Sequence, residues 1–180
     1  MIFGKEYKMA ETLTTLKTRR SCRAYKPEPI EEEKLNAILE AGTYAATGMG
    51  KQSPIILAVT NKELRDKLSR MNAAVLGADM DPFYGAPEVL VFLGNKAVPT
   101  YVYDGSLVMG NMMNAAADLG VASCWVHRAK EEFESEEGKA ILKELGIDGD
   151  YEGIGHLILG YAAKPAADPA PRKADYIYRV

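Results

Sequence analysis

Arg19, Arg20 and Arg23 crowd three guanidinium groups into five positions of the stretch TRRSCRAY, Thr18 to Tyr25, around Ser21 and Cys22. Guanidinium groups make bidentate, charge-assisted hydrogen bonds to phosphate, and a neighbouring serine hydroxyl adds a neutral donor. The same arginines would equally suit a solvated helix end, where positive charge complements the C-terminal dipole. The stretch alone leaves both readings open. A second basic spot, Arg172 and Lys173, lies in an irregular segment near the end of the chain. Two cationic spots could close on one phosphate from both ends.

Other candidates for chemistry are thinner. The glycine loop AATGMGKQSP, residues 45–54, lacks the lysine and hydroxyl arrangement of a phosphate-binding P-loop. It also follows a helical pattern rather than a strand, so it is no dinucleotide fingerprint, and it reads as a tight turn. His127 and His156 are the only histidines, and GIGHLILGY places His156 in a strand as a satisfied core residue. Cys124 with His127, or Cys22 with His156, could form a thiol–imidazole couple, but no third group orients either pair. Two cysteines and two histidines in no zinc spacing argue against a metal site. EEFESEEGK, residues 131–139, reads as an exposed helix face rather than paired catalytic acids.

Periodicity supplies the elements that must position these groups. Leu13 and Leu16 mark a short amphipathic helix up to about Arg20. A second helix runs through PIEEEKLNAILEAGTYAA, with Pro29 near its start and Ile30, Leu35, Ile38, Leu39 and Ala46 facing inward. IILAVTN reads as a buried strand, KELRDKLSRMNAA as a helix, VLVFLGN as a strand. The longest helix is expected from about Asp104 to Gly120, a good C-terminal stop. VASCWVH is a short strand, EEFESEEGKAILKELG a surface helix, and GIGHLILGY a strong strand. Strands separated by helices imply one sheet sandwiched by helices, of α/β type. Residues 1–180 form a single domain, and residues 164–180 an extended Pro/Ala-rich tail. The long helix is apolar nearly all round, so it is either a central core helix or one half of a dimer interface, with the second favoured.

Composition bounds the function. A net charge of −3 and a pI near 5.5 argue against broad charge-driven binding to nucleic acid, leaving a binder that uses TRRSCR a remote reading. MIFGKEYKMAETL lacks the apolar core of a signal peptide, and no apolar run approaches the ~20 residues of a membrane span. Two cysteines and eight methionines suit a reducing compartment, and a cytoplasmic protein is expected.

RRSxR at residues 19–23, TGMGKQSP at 47–54, GAPEVLVF at 85–92, GNMMNAAADLGVASCW at 110–125 and LGY…PRK at 159–173 occur in this order. Together they resemble the nitroreductase family of FMN-dependent oxidoreductases, particularly its short members, from about Leu16 to Lys173. The resemblance implies an α+β fold of three layers, a mostly antiparallel sheet flanked by helices, and a homodimer with FMN at the interface. Arg19, Arg20, Ser21 and Arg23 match the family's flavin-binding segment. Arg23 falls near the pyrimidine edge, where a cation stabilises the negative charge of reduced flavin. Arg172 and Lys173 match a C-terminal phosphate clamp.

Ala46, Thr47 and Gly48 match positions lent to the partner subunit's flavin. Gly50 stands where many relatives carry asparagine, so Gln52 is expected to take over its polar contact. Trp125, Val126, His127 and Arg128 match a segment whose backbone runs along the flavin ring, and Asp104 falls near the partner's flavin. The implied mechanism is ping-pong, from NAD(P)H to a nitroaromatic, quinone or similar acceptor, with no dedicated side-chain acid or base. Phe83, Tyr84, Tyr101 and Tyr103 lie in segments that could line an acceptor pocket. An FMN-binding sensor or carrier with little turnover would use the same residues.

Overall fold

The run EVLVFLGN carries apolar side chains at successive positions, so a strand made of it must be covered on both faces. A computed structural model of the chain, describing residues 11–180, places this run at the centre of one sheet. The chain order is α1 (Glu11–Thr18), α2 (Glu32–Thr43), a 3₁₀ turn (Gly48–Gly50), β1 (Pro54–Val59), α3 (Lys62–Leu76), β2 (Glu88–Asn95), α4 (Tyr101–Asp118), β3 (Ala122–Val126), α5 (Ala129–Glu134), α6 (Glu136–Glu144) and β4 (Tyr151–Gly160). Met1 to Ala10, most of the stretch weighed as a leader, lies outside the described residues.

The sheet order is β1-β2-β4-β3, and every pairing is antiparallel. The architecture is therefore α+β in three layers. The alternation of strands and helices, read alone, pointed to an α/β sheet and is corrected here. Alternate residues of β2 supply two cores. Val89, Val91 and Leu93 pack with Leu68, Phe133 and Ile141 under α3, α5 and α6. Leu90 and Phe92 pack with Ile38, Met109 and Met112 under α2 and α4.

The register of β2 against β4 slips between Phe92 and Leu93, which face Gly155 and Gly153. Both glycines are forced by close approach. A Cβ at Gly153 would sit 2.1 Å from the Ala129 carbonyl oxygen, and one at Gly155 would sit 2.8 Å from Trp125 Nε1.

Several elements differ from expectation. α2 starts at Glu32, beyond Pro29, and leaves Ala46 exposed past its end. β1 is an edge strand, only half covered. α4 begins at Tyr101, which puts Asp104 in its first turn. The expected surface helix breaks at Ser135, whose extended backbone (ψ 158°) ends α5 and whose hydroxyl caps α6 by accepting from Gly138 N at 3.0 Å. Glu132 of that carboxylate run is not exposed at all, at 1%. Nor does Phe83 line a pocket, because it is fully buried in the first core.

Candidate functional site

Charge density placed the arginines in a connecting stretch, and backbone pairing fixes where that stretch lies. β3 uses one edge for β4 and offers the other. Ser21 takes it through a parallel bridge to Ser123, and Cys22 N donates to Ser123 O at 2.9 Å. Further on, Lys26 N donates to Tyr161 O at 2.8 Å and Ala163 N to Ala24 O at 2.9 Å. The basic segment is thus stitched to β3 and to the chain leaving β4.

A cleft of about 430 Å³ opens beside it. Its walls are the segment Arg19–Ala24, the α4–β3 turn from Ala117 to Ser123, and the chain from Ala162 to Ala167. The turn is tight because Gly120, at φ 71°, lets the chain reverse straight out of α4 into β3. Small side chains there leave room for a bulky ligand.

The polar groups at this cleft are unspent. Arg19 Nη1, Arg20 Nε and Ser123 Oγ are buried without a hydrogen-bond partner. Arg20 Nη1 is used structurally, donating to Lys17 O at 2.8 Å and Arg19 O at 2.6 Å. Buried cationic donors left unpaired are costly, which points to an anionic group as the missing partner. Ser21 and Arg23 line the same cleft and are exposed. Lys164, which sequence reasoning missed, lines it from the opposite side. Ser123 was missed too, since nothing local in the sequence marks it.

Asp104 and the 47–53 loop form a second constellation. The buried Asp104 carboxylate accepts from Gly48 N at 2.9 Å, Ser53 Oγ at 2.9 Å and Thr100 Oγ1 at 3.0 Å. Burial pushes its pKa up, but these donors outweigh that and hold the carboxyl below its usual range. Thr47 Oγ1 accepts from Gln52 N at 3.0 Å, and Gln52 itself adopts φ 48°. Gly48 cannot be larger, because a Cβ would lie 2.2 Å from Thr100 Oγ1. Thr47 and Gln52 line a separate cavity of about 120 Å³ with Val108, and Ala46 lies outside it.

The end of β3 forms a third. Trp125 is half-buried, Val126 buried and His127 exposed. Arg128 sits in the left-handed region at φ 78°. The fully buried Asn72 fixes this corner: its Nδ2 donates to His127 O at 2.7 Å, and its Oδ1 accepts from Arg128 Nε at 3.0 Å. Asn72 Nδ2 also bonds Glu132 Oε1. Behind it lies His156, with Nε2 3.3 Å from Glu132 Oε2. Neither ring nitrogen of His156 has a hydrogen-bond partner, so it is a core residue but not a satisfied one.

Within one chain these groups stay apart. Arg172 and Lys173 are exposed in the tail: Arg172 bonds Ala170 O, and Lys173 lies 5.5 Å over the Tyr176 ring. Neither lines the cleft of Arg19. Among the described residues no group of His, Cys, Asp and Glu could hold a metal, and no helix is long and apolar enough to cross a membrane.

The Nitroreductase family model matches residues 16–79 and 78–161. A nitroreductase with bound FMN from Bacteroides fragilis NCTC 9343 shares the fold at TM-score 0.87, with 31% identity over 96% of this chain and 100% of that one. Another, from Desulfitobacterium hafniense DCB-2 and also with bound FMN, reaches 0.85 at 28% identity, again covering 96% and 100%. An Archaeoglobus fulgidus protein provisionally named NADH dehydrogenase/NAD(P)H nitroreductase is 29% identical over 158 residues, 85% of this chain and 86% of its own. The family match spans the basic segment, the long helix and all four strands, and the chain belongs to the nitroreductase family.

Proposed function

We propose that the protein is an FMN-dependent oxidoreductase that takes electrons from NAD(P)H and delivers them, in a ping-pong sequence, to a nitroaromatic, quinone or similar acceptor. The observation that carries this reading is the cleft whose buried Arg19 Nη1, Arg20 Nε and Ser123 Oγ lack partners. A phosphate monoester fits that donor set in charge and in hydrogen-bonding type. FMN-bound relatives of the same fold support it.

Arg19 and Arg20 would hold the phosphate of FMN, with the Ser21 and Ser123 hydroxyls as neutral donors. Arg23 and Lys164 add positive potential at the cleft, which favours a dianionic group and its reduced, anionic ring. Ala117, Gly120 and Val121 line the cleft with apolar groups. When bound, FMN supplies the two-electron redox chemistry, which explains why no side-chain acid, base or metal cluster is needed.

We further read the working unit as a homodimer. Thr47, Gln52 and Asp104 line or support a different cavity from Arg19 and Arg20, so one cofactor meets both sets only if two chains contribute. The face that would join them is already apolar and bare. Leu13 and Leu16 of α1 and Val102, Tyr103 and Leu107 of α4 are exposed, and a Cβ at Gly110 would meet open space.

An absorption spectrum of the FMN-loaded protein, before and after anaerobic NADH or NADPH, tests the proposal. Flavin bands that bleach with nucleotide and return with a nitroaromatic are expected. Bound flavin that neither nucleotide reduces would make the protein a carrier or sensor. Failure to bind FMN would overturn the cleft assignment.

A further inference from the structure

Cys22 and Cys124 are remote in sequence and neighbours in the fold. The parallel bridge between Ser21 and Ser123 fixes the register, and Cys22 N donates to Ser123 O at 2.9 Å. The bridge is isolated, with Cys22 the next residue on one chain and Cys124 the next on the other. Side chains alternate along extended backbone, so the serines share one face and the cysteines the other. Adjacent strands lie ~4.7–4.9 Å apart. A disulfide spans Cα separations of about 4.4–6.8 Å.

Tyr25 neighbours both segments. Its ring packs against the core cluster that contains Cys124, and its hydroxyl donates to the Cys22 carbonyl at 3.0 Å. Burial is the main cause that pushes the phenol pKa up, and charge at Cys22 and then at Cys124 pushes it further. The thiols differ in access. Cys22 is half-buried, with its Sγ donating to Ala24 O at 3.2 Å, whereas Cys124 is 2% exposed.

We propose that Cys22 and Cys124 form a redox pair, closing an intramolecular disulfide when the protein meets a peroxide. The Cys22 thiolate attacks one peroxide oxygen; the O–O bond breaks, and the departing hydroxide takes a proton and leaves as water. The resulting sulfenic acid is attacked at sulfur by the Cys124 thiolate, the S–S bond forms, and the S–O bond breaks to release a second water. Overall two thiols and one hydrogen peroxide give one disulfide and two waters, with two electrons passing from sulfur to oxygen. Thiol–disulfide exchange with an external dithiol reverses the step. The bond ties the arginine-bearing wall of the cleft to β3 without changing the register. It does not depend on what the cleft holds.

The full chain, reduced and freed of reductant, is treated with hydrogen peroxide, quenched with N-ethylmaleimide and digested without reduction for mass spectrometry. The expected product is lighter by two hydrogen atoms and yields a cross-linked peptide pair containing Cys22 and Cys124. Both thiols disappear together and return with dithiothreitol. In Cys124→Ser the resolving thiol is absent, so Cys22 proceeds to the sulfinic acid, heavier by two oxygen atoms and not recovered by dithiothreitol. Wild-type protein that keeps both thiols alkylatable would overturn the proposal. So would oxyacids of Cys22, or bonds between chains, formed while Cys124 stays free.

Discussion

Arg19→Ala separates a ligand-binding arginine from a structural one. Among the described residues the Arg19 side chain has no hydrogen-bond or ion-pair partner, and its Nη1 is buried beside the cleft. Arg20, by contrast, spends Nη1 on two backbone carbonyls at the end of α1. Removing Arg19 therefore loses no side-chain bond among the described residues, and the unfolding midpoint should hold or rise slightly. Its loss from a phosphate removes one charge-assisted contact, worth about 1.5–3 kcal/mol. At 1.4 kcal/mol per tenfold, FMN affinity should fall roughly 10- to 100-fold. The assay is fluorescence titration of FMN at fixed ionic strength, with Arg19→Lys retaining part of the affinity because charge survives without the planar fork. An unchanged Kd together with a lowered melting midpoint would refute the reasoning, since Arg19 would then be serving the fold.

Asp104→Ala leaves Gly48 N and two hydroxyls without their acceptor, and should cost about 2–3 kcal/mol in urea denaturation. Because the folded carboxyl lies below its usual range, its stabilisation is fully present above the unfolded aspartate value of about 3.9 and is lost as pH falls through the lowered folded value. Asp104→Asn should flatten that acid limb of stability against pH; an unaltered limb assigns it to other carboxylates. Gly153→Ala drives a methyl into the Ala129 carbonyl and should destabilise by about 3 kcal/mol, whereas wild-type stability would mean that α5 shifts freely.

Element type was legible where periodicity is local. The apolar run of β2, the stop of α4 at Gly120 and the helical pattern of α3 stand in the structure where the sequence places them. Strand direction was not legible from alternation, because a helix between two strands permits either sense; the ordered motifs of the family supplied it. EEFESEEGK was misread for a related reason. Five glutamates suggest solvent, yet Ser135 breaks the helix and Glu132 points inward, bonding Asn72 beside His156, neighbours that only tertiary packing brings near. Buried pairing across elements leaves no trace in local spacing.

The same distinction divides the site. Arg19, Arg20, Ser21 and Arg23 could be picked out because their charge is concentrated within one short stretch, and all of them line the cleft. Ser123 and Lys164 join them through β3 and through the chain leaving β4, a meeting set by sheet pairing rather than by spacing. Thr47 and Gln52 line another cavity, Asp104 is buried beside their loop through Gly48 N, and Arg172 and Lys173 lie in an exposed tail. Within one chain, the residues proposed to hold the cofactor therefore lie in separate places. Tyr103 and Leu107 are exposed on α4, the helix whose first turn carries the buried Asp104. In the proposed homodimer, burying that apolar face against a second copy and completing the site would be one event, and the hydrophobic gain of association would help to hold the cofactor.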